Sequence, residues 1–162
     1  CLVLFAQHAP ELPLIVAANR DERFDRMTSP ASFWAEAPHV LAGLDLEKRG
    51  TWMGITRAGR FAALTNVREP AARREAPRSR GAVVRDYLVG SLDATSFSRS
   101  LVREELPAFN LVCGDVHSLA FVRDGRVEAT PIHSGVHGLS NARLDDRWPT
   151  VESMDRSWGH GH

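Results

Sequence analysis

The chain has 162 residues, 43% hydrophobic and 25% charged, the proportions of one globular domain with a core of its own. Its 20 Lys and Arg balance 20 Asp and Glu, so no net field favours nucleic acid or a membrane surface. The two cysteines, Cys1 and Cys113, argue against a disulfide framework or a cysteine-built metal site and fit a reducing compartment.

The chain opens with two short apolar strands, Cys1–Ala6 and Leu14–Ala18, joined by turn residues Ala9–Pro13, which predicts a hairpin. The first apolar run lacks a basic flank and breaks at Gln7, unlike a signal peptide. No run approaches the ~18 apolar residues of a membrane span. Cytoplasm is the expected location, with no membrane span and no nucleic-acid partner. Arg23 to Pro38 reads as loop. His39–Gly43 reads as a short strand, and Thr51–Thr56 and Phe61–Asn66 form a second hairpin around Ala58-Gly59-Arg60. Residues 67–78, with four arginines and two prolines, read as an exposed loop. Ser79 is the expected N-cap of a helix whose apolar residues Val83, Val84, Tyr87 and Leu88 recur at helical spacing and which Gly90 ends. A second helix is expected over Thr95 to Glu105. Phe109–Cys113, Leu119–Val122 and Val127–Ile132 read as strands, the last two joined by an Asp124-Gly125 turn. Trp148-Pro149 opens a weak helical segment. Residues 1–162 contain no repeat or linker and form one domain. Strands, helices and strands again predict an α+β fold with a largely antiparallel sheet system.

The first residue carries the sharpest chemical signal. Ribosomes do not start at cysteine, so something upstream was removed or lies outside the sequence. If only the initiator methionine went, Cys1 bears a free α-amine, with a reference pKa of roughly 7.7–8.0, beside a thiol near roughly 8.5. An unprotonated amine takes the thiol proton, which makes the residue a nucleophile with its own base. A small buried hydrophobe or a lipidated first residue are the competing readings, although Cys1–Ala6 reads as a core strand rather than a polar tether. The hairpin returns Asn19-Arg20-Asp21-Glu22 to the height of Cys1. There the Arg20 guanidinium would lower the thiol pKa, and the Asp21 carboxylate would hold the amine. Otherwise the four residues are an ordinary charged turn. Asn66, Asn110 and Asn141 lie at strand ends or turns. Each is either a turn residue or an amide donor to an oxyanion.

Cys1 with Val16–Glu22, Gly50-Thr51-Trp52-Met53-Gly54, Leu64-Thr65-Asn66, Ser79-Arg80-Gly81, Phe109-Asn110-Leu111 and Gly138-Leu139-Ser140-Asn141 resembles the NRDE family, the homologues of transport and Golgi organisation protein 2. The likeness runs from Cys1 to about Pro149. It implies a four-layer αββα sandwich similar to N-terminal nucleophile hydrolases, nearest the bile-salt hydrolase and penicillin V acylase branch. It also implies Cys1 as nucleophile and base, Asp21 on the amine and Arg20 supporting the thiolate. Asn66 and Asn141 would bind the oxyanion and order the amine. The family continues past the Trp-Pro point with further helix and a closing strand pair, so the C-terminal closing part is expected to be missing here.

Two functions follow as expectations. One is a Cys-dependent hydrolase of C–N bonds acting on a small non-peptide amide or acylated metabolite, with no cofactor required. The other is a non-enzymatic protein that handles a small molecule, haem or lipid, in the setting of secretory-pathway organisation. His8 or His39 would be the axial haem ligand, although nothing in the sequence marks either. His133 and His137 have a metal-like spacing, but Pro131 and Gly135 argue against a helix there. His160 and His162 read as tail, Trp34, Trp52, Trp148 and Trp158 as packing residues, and the arginines of residues 68–80 as a solvated loop.

Overall fold

A computed structural model describes residues 1–9, 11–67, 78–101, 106–123, 129–142 and 144–146. Its elements run β1 (Leu2–Ala9), β2 (Leu12–Asn19), β3 (Thr28–Phe33), β4 (Val40–Asp45), β5 (Met53–Thr56), β6 (Arg60–Asn66), α1 (Arg80–Val89), α2 (Ala94–Leu101), β7 (Phe109–Asp115), β8 (Ser118–Arg123), β9 (Thr130–Pro131) and β10 (Gly135–Leu139). The strands form a seven-stranded sheet in the order β3-β4-β5-β6-β7-β8-β9 and a three-stranded sheet in the order β10-β1-β2. Every pairing is antiparallel.

The large sheet is apolar on both faces because its central strands sit between two layers. On β6, Phe61 and Ala63 face the small sheet while Ala62 and Leu64 face the helices, the period-two alternation of a strand. Val3 and Phe5 of β1 and Leu139 of β10 meet Phe61, Ala63, Val112 and Leu119 between the sheets. On the other side Val83, Val84, Tyr87 and Leu88 of α1 and Phe97 and Leu101 of α2 pack on Val40, Ala42, Leu64, Leu111 and Val122. Leu88 is fully buried, so truncating it to Ala would cost about 2–5 kcal/mol. Among the described residues this makes a helix layer and two sheet layers, three of the four expected.

The expected capping holds at the start of α1, where the Ser79 side chain accepts from the Ala82 N–H. Gly90 ends the helix by close approach rather than by a left-handed turn. It is extended (φ −78°), its N–H bonds the Asp86 carbonyl, and a Cβ there would lie 2.8 Å from that oxygen. Gly59 does need positive φ (81°), in the tight β5–β6 turn.

The reading of Arg23 to Pro38 as loop is corrected, because β3 lies within it. β3 is an edge strand in which Thr28, Ser29 and Ser32 stand beside Pro30, Ala31 and Phe33, paired among the described residues to β4 alone, through an irregular register between Ser29 and Ser32. Its Pro30 is tolerated because an edge strand leaves one side of its backbone unpaired. The Asp124-Gly125 turn, the Trp148-Pro149 segment, His160, His162 and most of the arginine loop lie outside the described residues. Of the expected Val127–Ile132 strand, residues 129–132 are described, and Thr130–Pro131 form the strand.

Candidate active site

The β1–β2 register places Leu2 opposite Asn19, Val3 opposite Ala18 and Leu4 opposite Ala17. The hairpin therefore delivers residues 20 and 21 beside Cys1. Asn19 fixes the junction, its Oδ1 accepting from the Leu2 N–H at 3.1 Å. Asp21 Oδ2 stands 2.5 Å from the Cys1 α-nitrogen. The Cys1 side chain is only 13% exposed whereas Asp21 is 73% exposed, so the amine lies at the floor of the cluster and the carboxylate at its rim. The thiol Sγ is 3.9 Å from the Asp21 carbonyl oxygen.

Arg20 is held elsewhere. Its Nη2 donates to Glu22 Oε2 at 3.1 Å, and Arg26 reaches the same oxygen at 3.1 Å and Asp45 Oδ2 at 2.6 Å. Burial alone would raise the pKa of both acids. For Glu22 the Arg23 N–H and the charges of Arg26 and Arg20 outweigh it, and for Asp45 the Arg26 hydrogen bond and the N–H groups of Lys48 and Glu47 do. Both carboxyls thus titrate below their ordinary range. This ladder from Arg20 through Glu22 and Arg26 to Asp45 braces the segment carrying Asp21 against the end of β4.

Asn141 enters from the far end of the sequence. β10 pairs with the other side of β1, with Leu139 opposite Val3, so the residues just beyond Leu139 emerge beside Cys1. Asn141 Oδ1 lies 3.5 Å from the Cys1 nitrogen, and its Nδ2 donates to the Asn66 carbonyl at 2.7 Å. One side chain therefore links the first residue of the chain to the end of β6. Asn66 is exposed at that strand end. Asn110 is almost fully buried and donates through Nδ2 to the Ala142 carbonyl, which makes it a structural clamp rather than an oxyanion donor.

Of the residues expected at the site, Cys1, Asp21, Asn141 and the Asn66 backbone converge, while Arg20 turns to Glu22. Glu22 was singled out only as part of the Asn19–Glu22 run, and Thr65, Arg26, Asp45 and Asp145 were given no site role. A cavity of about 190 Å³ lies on the helix side, walled in part by Arg60, Tyr87, Leu92, Phe97 and Leu101, and none of its lining residues belongs to the Cys1 cluster. His8 and His39 are both exposed, one at the end of β1 and one in the turn before β4, and no cluster of three or more His, Cys, Asp or Glu suited to a metal occurs among the described residues.

The family profile for Transport and Golgi organisation 2 matches residues 1–159. The chain belongs to that family. It is 37% identical to the transport and Golgi organization protein 2 homolog of Bos taurus over 146 residues, covering 83% of this chain and 52% of the relative. It is 35% identical to the homolog of Homo sapiens over the same shares, and 34% identical to transport and Golgi organization protein 2 of Drosophila melanogaster, over 73% of this chain and 47% of that one. The chain thus spans about half the length of the curated relatives it matches. Two solved structures share the fold at low identity. The N-acylethanolamine-hydrolyzing acid amidase ortholog of Caenorhabditis elegans superposes with a TM-score of 0.62 at 12% identity, covering 94% of this chain and 73% of that one. Penicillin V acylase from Agrobacterium tumefaciens gives 0.52 at 14%, covering 100% and 58%. The fold is N-terminal nucleophile hydrolase-like. No described helix is long and apolar enough to cross a membrane.

Proposed function

We propose that this chain carries the nucleophile side of a cysteine-dependent N-terminal nucleophile hydrolase that cleaves the C–N bond of a small non-peptide amide or acylated metabolite. The observation that carries this reading is the pair of acceptors on one nitrogen: Asp21 Oδ2 and Asn141 Oδ1 both face the Cys1 amine. On this reading Cys1 is the first residue of the mature protein. Its neutral amine takes the Sγ proton, and the resulting ammonium is held by the two acceptors while the thiolate attacks the substrate carbonyl. A C–S bond forms, the ammonium gives its proton to the leaving nitrogen, and the C–N bond breaks to leave a thioester. Water, deprotonated by the same amine, attacks the thioester; the C–S bond breaks and the thiol regains its proton. Asn141 orders the amine, because its own N–H is already committed to the Asn66 carbonyl. The exposed Asn66 amide at the end of β6 is the oxyanion donor of this scheme. Arg20 supports the thiolate only by a swing away from Glu22.

A second reading is favoured by the sequence comparison, since identity is far higher to relatives named for transport and Golgi organization than to the hydrolases. On it the protein binds a lipid or haem and turns nothing over. The deciding experiment is intact mass and iodoacetamide labelling of the purified protein beside Cys1→Ala and Asp21→Ala. The hydrolase reading expects a free Cys1 that reacts faster than free cysteine and slows in Asp21→Ala. A residue retained before Cys1, or ordinary thiol reactivity, rejects it and turns the question to lipid and haem titrations.

A further inference from the structure

Asn141 lies in a short return segment that makes a one-residue contact with the Cys1 amine, and its backbone is gripped on both sides. Thr65 and Asn110 are direct cross-strand partners on β6 and β7, and both are buried. Thr65 Oγ1 donates to the Ser140 carbonyl at 2.6 Å, and Asn110 Nδ2 donates to the Ala142 carbonyl. The two carbonyls that flank Asn141 are thus pinned by one rung of the large sheet. The far end of the segment is closed by Asp145. Its Oδ1 accepts from the Gly138 N–H at 2.9 Å, its own N–H donates to the Gly138 carbonyl at 2.8 Å, and its Oδ2 meets His137 Nδ1 at 2.8 Å. His137 is fixed in turn by the His133 carbonyl at 2.8 Å on Nε2 and by the Phe5 ring, 5.3 Å between centroids. Leu139 and Leu144 bridge across the loop. Asp145 holds a left-handed backbone (φ 59°), which Asp and Asn adopt more readily than other non-glycine residues.

We infer that Thr65, Asn110 and Asp145 are positioning residues for the Cys1 nucleophile: they preset Asn141 so that its Oδ1 accepts from the Cys1 amine and its Nδ2 stays on the Asn66 carbonyl. This deepens the hydrolase reading and rests on it. A hydrogen bond to a charged group is worth most when its partner needs no reordering. A three-point hold on the return that follows β10 supplies that preorganisation. Loosening the segment withdraws an acceptor from the ammonium. The ammonium–thiolate pair is then less favoured, and the thiol needs a higher pH to react.

The test follows the iodoacetamide rate of Cys1 against pH in the full chain, prepared with Cys1 exposed by cleavage of a fusion partner. Thr65→Val removes the hydroxyl at constant shape. Asp145→Asn suits the left-handed backbone and retains an acceptor for Gly138 but loses the charge facing His137. Each is made alone and with Asn141→Ala, and Ser79→Ala at the cap of α1 serves as a control for destabilisation alone. The expected result is a profile shifted up by about half a pH unit in Thr65→Val, about a threefold loss of rate at neutral pH, and a smaller shift in Asp145→Asn. Both effects should vanish in the Asn141→Ala background, and Ser79→Ala should leave the profile in place. The inference is overturned if Thr65→Val and Asp145→Asn leave the profile unmoved while Asn141→Ala shifts it, if their effects persist without Asn141, or if Ser79→Ala shifts it equally. A wild-type profile identical to that of free cysteine would instead reject the hydrolase reading itself, and this inference with it.

Discussion

Asp21 and Cys1 meet through one hydrogen-bonded ion pair, Oδ2 to nitrogen at 2.5 Å, because the β1–β2 hairpin is closed in a register that puts Leu2 opposite Asn19. A slip of one residue would send Asp21 to the other face of the sheet. The apolar set Val3 and Phe5, buried between the sheets, forbids that slip. The packing of the core therefore fixes the partner of the amine.

Replacing Asp21 by Asn should slow alkylation of Cys1 at neutral pH by about an order of magnitude, since an opposite charge in contact is the strongest simple stabiliser of an ammonium. Asp21 is mostly exposed, so the melting temperature should stay close to that of the wild type. Rate measurement beside a thermal melt checks both, and a large loss of stability would place Asp21 in the fold rather than in the site.

The two cysteines should behave differently toward the same reagent. Burial pushes the Cys113 thiol up to about 12, against a smaller lowering by Arg60, and Cys113 is fully buried in β7. Mass spectrometry should find one adduct, at Cys1, in the native protein and two in denaturant. Native labelling at Cys113 would mean that the sheet opens on the timescale of the reaction.

Gly50 and Gly81 explain two motifs that sequence alone left without a reason. They touch where the β4–β5 turn meets the first turn of α1, with the Thr51 N–H on the Gly81 carbonyl at 3.1 Å. A Cβ on Gly50 would come within 2.5 Å of the Gly81 backbone carbon. Gly50→Ala should therefore destabilise the protein by about 1–3 kcal/mol, read by chemical denaturation. A neutral result would show that α1 shifts freely on the sheet.

Two partly exposed pairs give stability a pH dependence of known sign. Asp45 is held below its ordinary pKa, burial being outweighed by Arg26 and two backbone N–H groups. Its contribution is present above the unfolded carboxylate value and is lost as pH falls through the lower folded value. His137 is raised above its ordinary value, first by its hydrogen bond to Asp145. Its contribution is complete below the unfolded imidazole value and fades as pH rises through the folded one. His137→Gln should thus cost more at about pH 5 than at about pH 9, and Asp45→Asn should flatten the acid limb. Denaturant midpoints at several pH values decide it; a His137→Gln cost that does not change with pH would show the imidazole is not charged in the fold.

Much of the scaffold was legible locally. The paired apolar strands before Asn19, the Ser79 cap with Val83, Val84, Tyr87 and Leu88 behind it, and the Gly59 turn each carry their signal within a few residues. β3 did not, because Thr28–Phe33 has no apolar alternation, contains Pro30 and owes its strand conformation to pairing with β4. The site was legible in part. Cys1 and Asp21 sit on one hairpin, and hairpin register follows from local pattern. Arg20 was expected on the thiol and lies instead on Glu22, which Arg26 also holds while reaching Asp45 at the end of β4.

What the sequence by itself determined is the chemistry on offer: a thiol at Cys1, a carboxylate returned beside it by a hairpin, and an α+β pattern of strands around two helices. What only the tertiary structure decided is the company these groups keep. Asn141 reaches the Cys1 amine because β10 pairs with β1 and because Thr65 and Asn110 hold the residues on either side of it. Such contacts, between groups far apart in the sequence, depend on which sheet edges meet once the core has closed, and that is set by burial of both sheet faces together rather than by any local run of residues.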